Sequence, residues 1–223
     1  MSFAAARRSA GVPGATPESR SHRHGFGNRD KDHSLQIVRR LDWRFLLPNP
    51  NLGHVAYVGP PSGTLPFALK QFSELLTMVS KADESSAGVK MDGSHEVVVL
   101  RSADVAAVDN VKPLLKSRGY LYWEVERASS LRHVRDYIAP IERLGFDDIQ
   151  VSWHRPDFES CLEIIPLRDP VALRFAFARS RGSVSKRLKF AAGRFLMTAG
   201  LLPRVVPCFS IIARNGSPEE GPA

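Results

Sequence analysis

Short apolar runs recur through the middle of this 223-residue chain, and stretches that suit a helix lie between them. The first run, H-V-A-Y-V at residues 54–58, is continuous rather than alternating, which is typical of a strand covered on both faces. Further runs lie at residues 75–79, 96–100, 120–125 and 149–153. Strands that alternate with helices over short connections form right-handed βαβ units. The sequence therefore predicts an α/β fold, a mostly parallel sheet with helices on both faces.

Capping residues and apolar spacing predict the helices between these runs. Residues 64–72 follow a glycine turn. Asp104 caps a helix that we expect to end at Gly119, and the next helix ends at Gly145. The alternation breaks after residue 153, and residues 157–167 show no clear period. Two helical stretches and a late strand follow, at residues 169–179, 183–199 and 208–213.

The pattern predicts one domain, residues 34–214, between two tails. Residues 1–33 lack periodicity and predict a disordered basic leader, with a targeting segment as the alternative. Residues 215–223 predict a disordered tail. The chain has no run of 18 apolar residues, so no membrane span is expected. Two cysteines without a secretory signal are typical of a reducing compartment, which predicts a cytoplasmic protein.

The net charge of +8 is concentrated in two segments. Residues 1–40 carry eight Lys or Arg and three acids, and residues 168–204 carry nine Lys or Arg and one acid. The rest of the chain is mildly acidic, so no specific nucleic-acid partner is expected. Cys161 and Cys208 have no histidines at zinc spacing, so no metal site is expected.

The basic segment 168–204 is predicted to form a helical insertion before the last strand. On a helical wheel, residues 183–200 place Val184, Leu188 and Phe195 on one face and most of the Lys and Arg residues off it. Such a helix could lie on an anionic membrane surface or cover an anionic substrate. The alternative is that its apolar face packs beside the sheet and its charges stay in solvent.

Three stretches of the second half carry a resemblance to a known family. They are L-K-S-R-G-Y-L-Y-W-E-V at 115–125, L-G-F-D-D-I-Q-V-S-W at 144–153 and P-C-F-S-I-I-A-R at 207–214. Over residues 53–214 the chain resembles class I S-adenosylmethionine-dependent methyltransferases. The resemblance implies a Rossmann-like sheet with an antiparallel last strand. The sequence departs from the family in the middle of the sheet. Only about 16 residues separate Val79 from Glu96, where the family has a helix, a strand and another helix, so we expect a shortened middle.

The resemblance places an altered cofactor loop after the first strand. The family motif E/D-x-G-x-G-x-G corresponds to residues 57–63, where Gly59 and Gly63 are kept. Tyr57 stands in place of the acid, and Pro61 replaces the middle glycine and removes an N–H donor. These replacements predict a degenerate cofactor loop. The implied contacts of S-adenosylmethionine are Gly59, Pro61, Ser62, Gly63, Ser80, Arg101 and Ser102.

Candidate bases follow the strands at the carboxyl edge of the predicted sheet, where ligands of such folds bind. His154 is one candidate, since an imidazole titrates near neutral pH, and Asp157 could orient it. Glu126 is the other, and Glu124 should lie on the same side of its strand. The alternatives are a structural histidine and salt-bridged carboxylates.

Two hypotheses about function remain open from the sequence. In the first, the chain transfers a methyl group from S-adenosylmethionine to an oxygen or nitrogen acceptor on an anionic small molecule or glycan. In the second, it is a non-catalytic Rossmann-like module that binds a protein partner. Association with a membrane surface through residues 183–200 is compatible with both.

Overall fold

The structure is a computed structural model that describes residues 34–79, 93–102, 104–126, 134–178, 191–193 and 195–216. Several predictions lie outside the described residues. They concern the leader 1–33, Ser80, the tail from residue 217 and much of the predicted helix 183–199.

Seven strands of the described residues form one mixed sheet. They are β1 His54–Val58, β2 Leu75–Val79, β3 His95–Arg101, β4 Leu115–Glu126, β5 Phe146–Arg155, β6 Glu163–Pro166 and β7 Cys208–Asn215. Their order is β2-β1-β3-β4-β7-β5-β6. Neighbours among β1 to β4 pair in parallel, whereas β7 lies antiparallel between β4 and β5, and β6 is antiparallel to β5. The carboxyl ends of β1 to β5 therefore meet at one edge, where β6 and β7 begin.

Helical segments cover both faces of the sheet, which confirms the predicted α/β class. The helices are Thr64–Phe72, Ala106–Val111, Val134–Arg143, Pro170–Ala178 and Leu202–Val205, with 3₁₀ turns at Asp42–Leu46 and Lys112–Leu114. We call one face of the sheet the Tyr57 face. Residues 34–47 and helix Thr64–Phe72 pack on it. We call the opposite face the Trp123 face. The remaining helices pack on it.

Apolar spacing explains why these segments are helical. Helix Thr64–Phe72 buries Leu65, Ala68 and Leu69, three and four residues apart, and so presents one apolar side to the sheet. Helix Val134–Arg143 buries Val134, Tyr137, Ile138 and Ile141 in the same way. Each helix thus has a buried stripe set by the 3.6-residue period of the α-helix.

The prediction of a helix from Asp104 to Gly119 was wrong at its end. The α-helix stops at Val111, a 3₁₀ turn follows at Lys112–Leu114, and β4 begins at Leu115. Pro113 is the physical reason, because it lacks an N–H and its ring clashes with the preceding helical turn. Gly119 lies inside β4, where the pairing with β3 shifts register between His95 and Val97.

β6 is not apparent in the sequence pattern, and β7 extends further than the pattern predicts. β6 lies inside the stretch 157–167, has four residues and ends in Pro166, which an edge strand tolerates. The last strand includes Asn215, which was predicted to belong to the tail. The Asn215 side-chain amide donates to the Lys116 carbonyl at 3.1 Å, and this bond holds the end of β7 against β4.

Candidate functional site

The carboxyl edge of the sheet collects most of the predicted site residues. The turn with Gly59, Pro61, Ser62 and Gly63 follows β1. Arg101 ends β3 and Glu126 ends β4. His154 lies near the end of β5, and Ser102 directly follows β3. Parallel strands bring these positions together because their carboxyl ends share an edge.

The turn after β1 is closed over by Tyr57. The Tyr57 side chain is buried, and its hydroxyl donates to the Pro60 carbonyl at 3.0 Å. A Cβ at Gly59 would lie 2.7 Å from that hydroxyl oxygen and 3.1 Å from the Arg101 Cβ, so a larger residue would displace the buried Tyr57 ring. Gly63 has a φ of +119°, a conformation that favours glycine, and helix Thr64–Phe72 begins at the next residue.

A buried ion pair lies beside this turn on the Tyr57 face. The Arg40 guanidinium donates two hydrogen bonds to the Glu124 carboxylate, at 2.5 and 2.6 Å, and both side chains are buried. The Tyr122 hydroxyl donates to the same carboxylate at 2.9 Å. Burial by itself would lower the pKa of Arg40, but the charge of Glu124 and its hydrogen bonds raise that pKa above its ordinary value. Arg40 therefore stays charged in the interior.

Arg101 and Glu159 extend this pair into what we call the edge network, comprising Arg40, Arg101, Glu124, Glu126 and Glu159. Arg101 donates to Glu126 at 2.8 Å and to Glu159 at 3.3 Å. The Arg40 Nε lies 3.7 Å from a Glu159 oxygen. The Thr64 hydroxyl also donates to Glu159. Glu159 follows β5 in the chain, and its carboxylate reaches along the carboxyl edge of the sheet to the beginning of helix Thr64–Phe72.

His154 lies apart from the turn, in the interior of the Tyr57 face. Its Nε2 is 2.8 Å from the Ser210 hydroxyl oxygen, and its Nδ1 is 3.5 Å from the Cys161 sulfur. Burial, and next the charge of Arg40, lowers the pKa of His154 from 6.5 to about 3, so the imidazole is neutral at pH 7. Asp157 does not orient this ring as expected, because its carboxylate accepts hydrogen bonds from the Ser160 amide and hydroxyl at 2.7 and 2.8 Å.

The remaining predicted residues have structural contacts. The Ser102 carbonyl accepts a hydrogen bond from the Trp123 indole at 2.8 Å, and its hydroxyl accepts one from the Asp104 amide at 3.0 Å. Cys161 and Cys208 are free thiols. Among the described residues there is no group of three His, Cys, Asp or Glu that could hold a metal ion. No described helix is long and apolar enough to cross a membrane.

Sequence reasoning missed Arg40, Glu159 and Ser210 as members of the site. One available signal was Glu124, a charge inside the apolar run Y-L-Y-W-E-V, because a buried carboxylate requires a partner. The partner itself could not be identified, since Arg40 is 84 residues away in sequence.

No protein-family model matches the sequence, and no curated protein matches it. Solved structures do match. A SAM-dependent methyltransferase from Archaeoglobus fulgidus is 13% identical, with a TM-score of 0.47, over 82% of this chain and 94% of that one. Phosphoethanolamine N-methyltransferase 2 of Haemonchus contortus, in complex with S-adenosyl-L-methionine, is 12% identical, with a TM-score of 0.45, over 83% of this chain and 53% of that one.

A SAM-dependent O-methyltransferase from Thermotoga maritima also matches, with 13% identity and a TM-score of 0.41, over 85% of this chain and 66% of that one. Each of these matches extends over more than 80% of this chain. The parallel core and the antiparallel last strand β7 are the arrangement that the resemblance implied, whereas the antiparallel edge strand β6 is an addition to it.

Proposed function

We propose that the chain is a non-catalytic, methyltransferase-like binding module whose cofactor crevice is filled by its own side chains. The observation that carries this proposal is the position of Glu159. Its carboxylate accepts one hydrogen bond from the Thr64 hydroxyl, at the beginning of the helix after the glycine turn. It accepts another from the Arg101 guanidinium, at the end of β3.

The crevice between β1 and β3 is where ligands of an open α/β sheet bind. A helix N-terminus there attracts an anion, because its backbone N–H groups and its dipole favour negative charge. In this chain Glu159 supplies that negative charge internally. Arg101 lies over the glycine turn, with one guanidinium nitrogen 3.9 Å from where a Cβ of Gly63 would be. The charged groups of the crevice are therefore paired with one another.

The described residues do not fit S-adenosylmethionine at this turn. Pro61 lacks the N–H that a glycine in its place would offer. Tyr57 stands in place of the acid, and its hydroxyl donates a hydrogen bond to the Pro60 carbonyl. Burial raises the pKa of this hydroxyl, so it remains a neutral donor. β2 ends at the apolar Val79, where the family has an acid for the ribose hydroxyls.

Calorimetric titration of the full chain with S-adenosylmethionine and S-adenosylhomocysteine tests the proposal. We expect no binding at about 1 mM ligand. A titration to this concentration would detect a Kd of about 1 mM, which is a binding free energy of about −4 kcal/mol. The variant Pro61→Gly with Glu159→Gln should gain binding if these residues close the crevice. Glu142→Gln, an exposed carboxylate outside the edge network, is the matched control. Micromolar binding by the unaltered chain would contradict the proposal.

The second candidate function is methyl transfer to an oxygen or nitrogen acceptor on an anionic small molecule or glycan. The observation that favours it is the glycine turn itself. Gly59 allows a close approach of the turn to the Tyr57 and Arg101 side chains, and Gly63 has the positive φ that favours glycine. Micromolar binding of S-adenosylmethionine would support this candidate. Glu126, which is exposed, and His154, which is buried, would then remain the predicted bases.

A further inference from the structure

The strand β2 forms one edge of the sheet and pairs with β1 alone among the described residues. Its five residues, L-L-T-M-V, include no charge, proline or glycine. The pairing with β1 runs through all five residues without a register shift, so no bulge interrupts the strand. The side chains of Leu75 and Met78 are 53% and 42% exposed. β2 therefore presents a regular apolar edge, with backbone N–H and C=O groups that point away from β1.

The strand at the opposite edge of the described sheet, β6, has features that oppose pairing with a further strand. It has four residues, begins with Glu163 and ends with Pro166. Glu163 lies 3.5 Å from Arg155 in an ion pair, and Pro166 has no N–H to donate. Sheets commonly protect their edges with such charges and prolines. The sequence of β2 has neither, which indicates an edge that another strand covers.

The side chains of β2 alternate between the two faces of the sheet. Val79 packs in the core of the Trp123 face, and Leu76 packs on that of the Tyr57 face. Leu75 therefore lies with Val79 on the Trp123 face, and Met78 lies with Leu76 on the Tyr57 face. Each face of β2 thus has one exposed apolar side chain and one that packs on the core.

We propose that β2 pairs with the β2 strand of a second copy of the chain, antiparallel and about a two-fold axis. Residues opposite each other in an antiparallel pair project to the same face, and pairing of all five residues places Thr77 opposite its own copy. Leu75 then lies opposite Val79 of the second copy, and Met78 lies opposite Leu76 of the second copy. Each exposed apolar side chain gains an apolar neighbour, and no charges meet, since β2 has none. Such a self-complementary contact forms a closed dimer.

Residues 80–92, which follow β2 in the chain, are the competing occupant of this edge. Five of these thirteen residues are charged, and Asp, Glu and Lys are depleted in strands. Their sequence therefore suits pairing with β2 less well than a second copy of β2 does.

Sedimentation velocity of the full chain over a range of concentrations tests the proposal. We expect a reversible shift from the mass of one chain to that of two by about 0.1 mM, a concentration that detects Kd values up to about the same level. Leu75→Lys with Met78→Lys should keep the chain monomeric, because charges on an edge strand oppose pairing. Leu162→Lys is the matched control, since Leu162 is 70% exposed but lies between β5 and β6, and it should still form the dimer.

Unfolding midpoints establish that these variants remain folded. A chain that stays monomeric at every concentration, as it would if residues 80–92 covered the edge, would overturn the proposal. A dimer that persists in the folded double variant would overturn it as well.

Cysteine cross-linking tests the register of the pairing. The Cα atoms of opposite residues in an antiparallel pair are about 4.5–5.5 Å apart, which a disulfide can span. We use a Cys161→Ser chain, in which the buried Cys208 is the remaining native thiol. In this chain Thr77→Cys should form a covalent dimer under mild oxidation.

Leu75→Cys in the same chain is the control for cross-linking. Its two copies would lie four residues apart along the paired strands, at least about 13 Å, which is too far for a disulfide. Cross-linking of Thr77→Cys no faster than that of Leu75→Cys would overturn the proposed pairing.

Discussion

His154 shows at the residue scale how burial changes the chemistry of a side chain. The pKa of an exposed imidazole suits a general base near neutral pH. In this fold the ring is enclosed by Ser210, Cys161 and Phe158, the last with its ring centre 4.7 Å away. Desolvation disfavours the charged form, and Arg40 adds a like charge nearby. The neutral imidazole is therefore a packed and hydrogen-bonded part of the interior.

The stability of the protein should fall on mild acidification because of His154. Its pKa is about 3 when folded and 6.5 when unfolded, so the unfolded chain binds the proton first as pH falls. The contribution of His154 is complete above pH 6.5 and is lost as pH falls towards 3. Between pH 7 and pH 5 we expect the free energy of unfolding to drop by about 2 kcal/mol.

Urea unfolding at pH 7 and pH 5 measures this drop. His154→Gln should largely abolish the pH dependence in this interval, because carboxylates titrate mainly below it. His54→Gln, at an exposed histidine, should keep the pH dependence of the unaltered chain. Equal stability of the unaltered chain at the two pH values would refute the assignment.

At the scale of elements, the segment between β3 and β4 shows how one proline ends a helix before a strand and how one glycine lets two strands approach closely. Pro113 ends the preceding helix, and β4 begins four residues before Gly119. Arg118 adopts a φ of +62°, and Gly119 is buried next to it. A Cβ at Gly119 would lie 3.0 Å from the Glu96 and Lys116 carbonyl oxygens. Glycine is required here by close backbone approach, and not as the end of a helix.

Gly119→Ala should lower the free energy of unfolding by about 1–3 kcal/mol, because the added methyl group meets backbone that cannot easily move. Arg118→Gly, at the neighbouring residue, should change the free energy of unfolding by less than about 0.5 kcal/mol. Glycine adopts the left-handed conformation of residue 118 without strain, and this gain offsets the larger conformational entropy of the unfolded chain. Denaturant unfolding of both variants measures the difference. A Gly119→Ala variant as stable as the unaltered chain would show that the strands separate to accept the methyl group.

At the scale of the whole molecule, residues 34–47 complete the domain by covering the Tyr57 face. Trp43 stacks on Tyr122 with ring centres 3.8 Å apart and planes 8° from parallel. Arg40 reaches Glu124 in the same strand. The segment before β1 is thus attached to β4, in the middle of the sheet, by an aromatic stack and a buried ion pair. The edge network depends on this attachment, because Arg40 also lies beside Glu159.

Arg40→Met should lower the free energy of unfolding by about 3–5 kcal/mol, because it leaves the buried Glu124 carboxylate without its partner. Arg40→Met with Glu124→Leu should recover most of that loss, since no charge is then left buried. Arg214→Met, which breaks an exposed pair with Asp147, should have little effect. Urea unfolding compares the four proteins. A double variant less stable than Arg40→Met would show that the pair contributes more than its own desolvation costs.

The sequence by itself determined most of the strands and helices and that β1 to β4 run parallel, because these properties follow from local apolar periods, caps and connections. It also located Gly59, Arg101 and Glu126 at one edge. Where it was wrong or silent, as at Pro113 and β6, the local pattern was short or interrupted by a proline.

The tertiary structure alone decided which charges meet at that edge. Arg40 and Glu124 are separated by 84 residues, and Glu159 is separated from Thr64 by 95. Nothing in the local sequence around any of these residues specifies its partner. Pairing depends on which elements the fold places side by side, and burial then decides which charges persist and which histidine stays neutral. That is why the sequence could indicate a cofactor loop, whereas the proposal that the loop's crevice is filled required the structure.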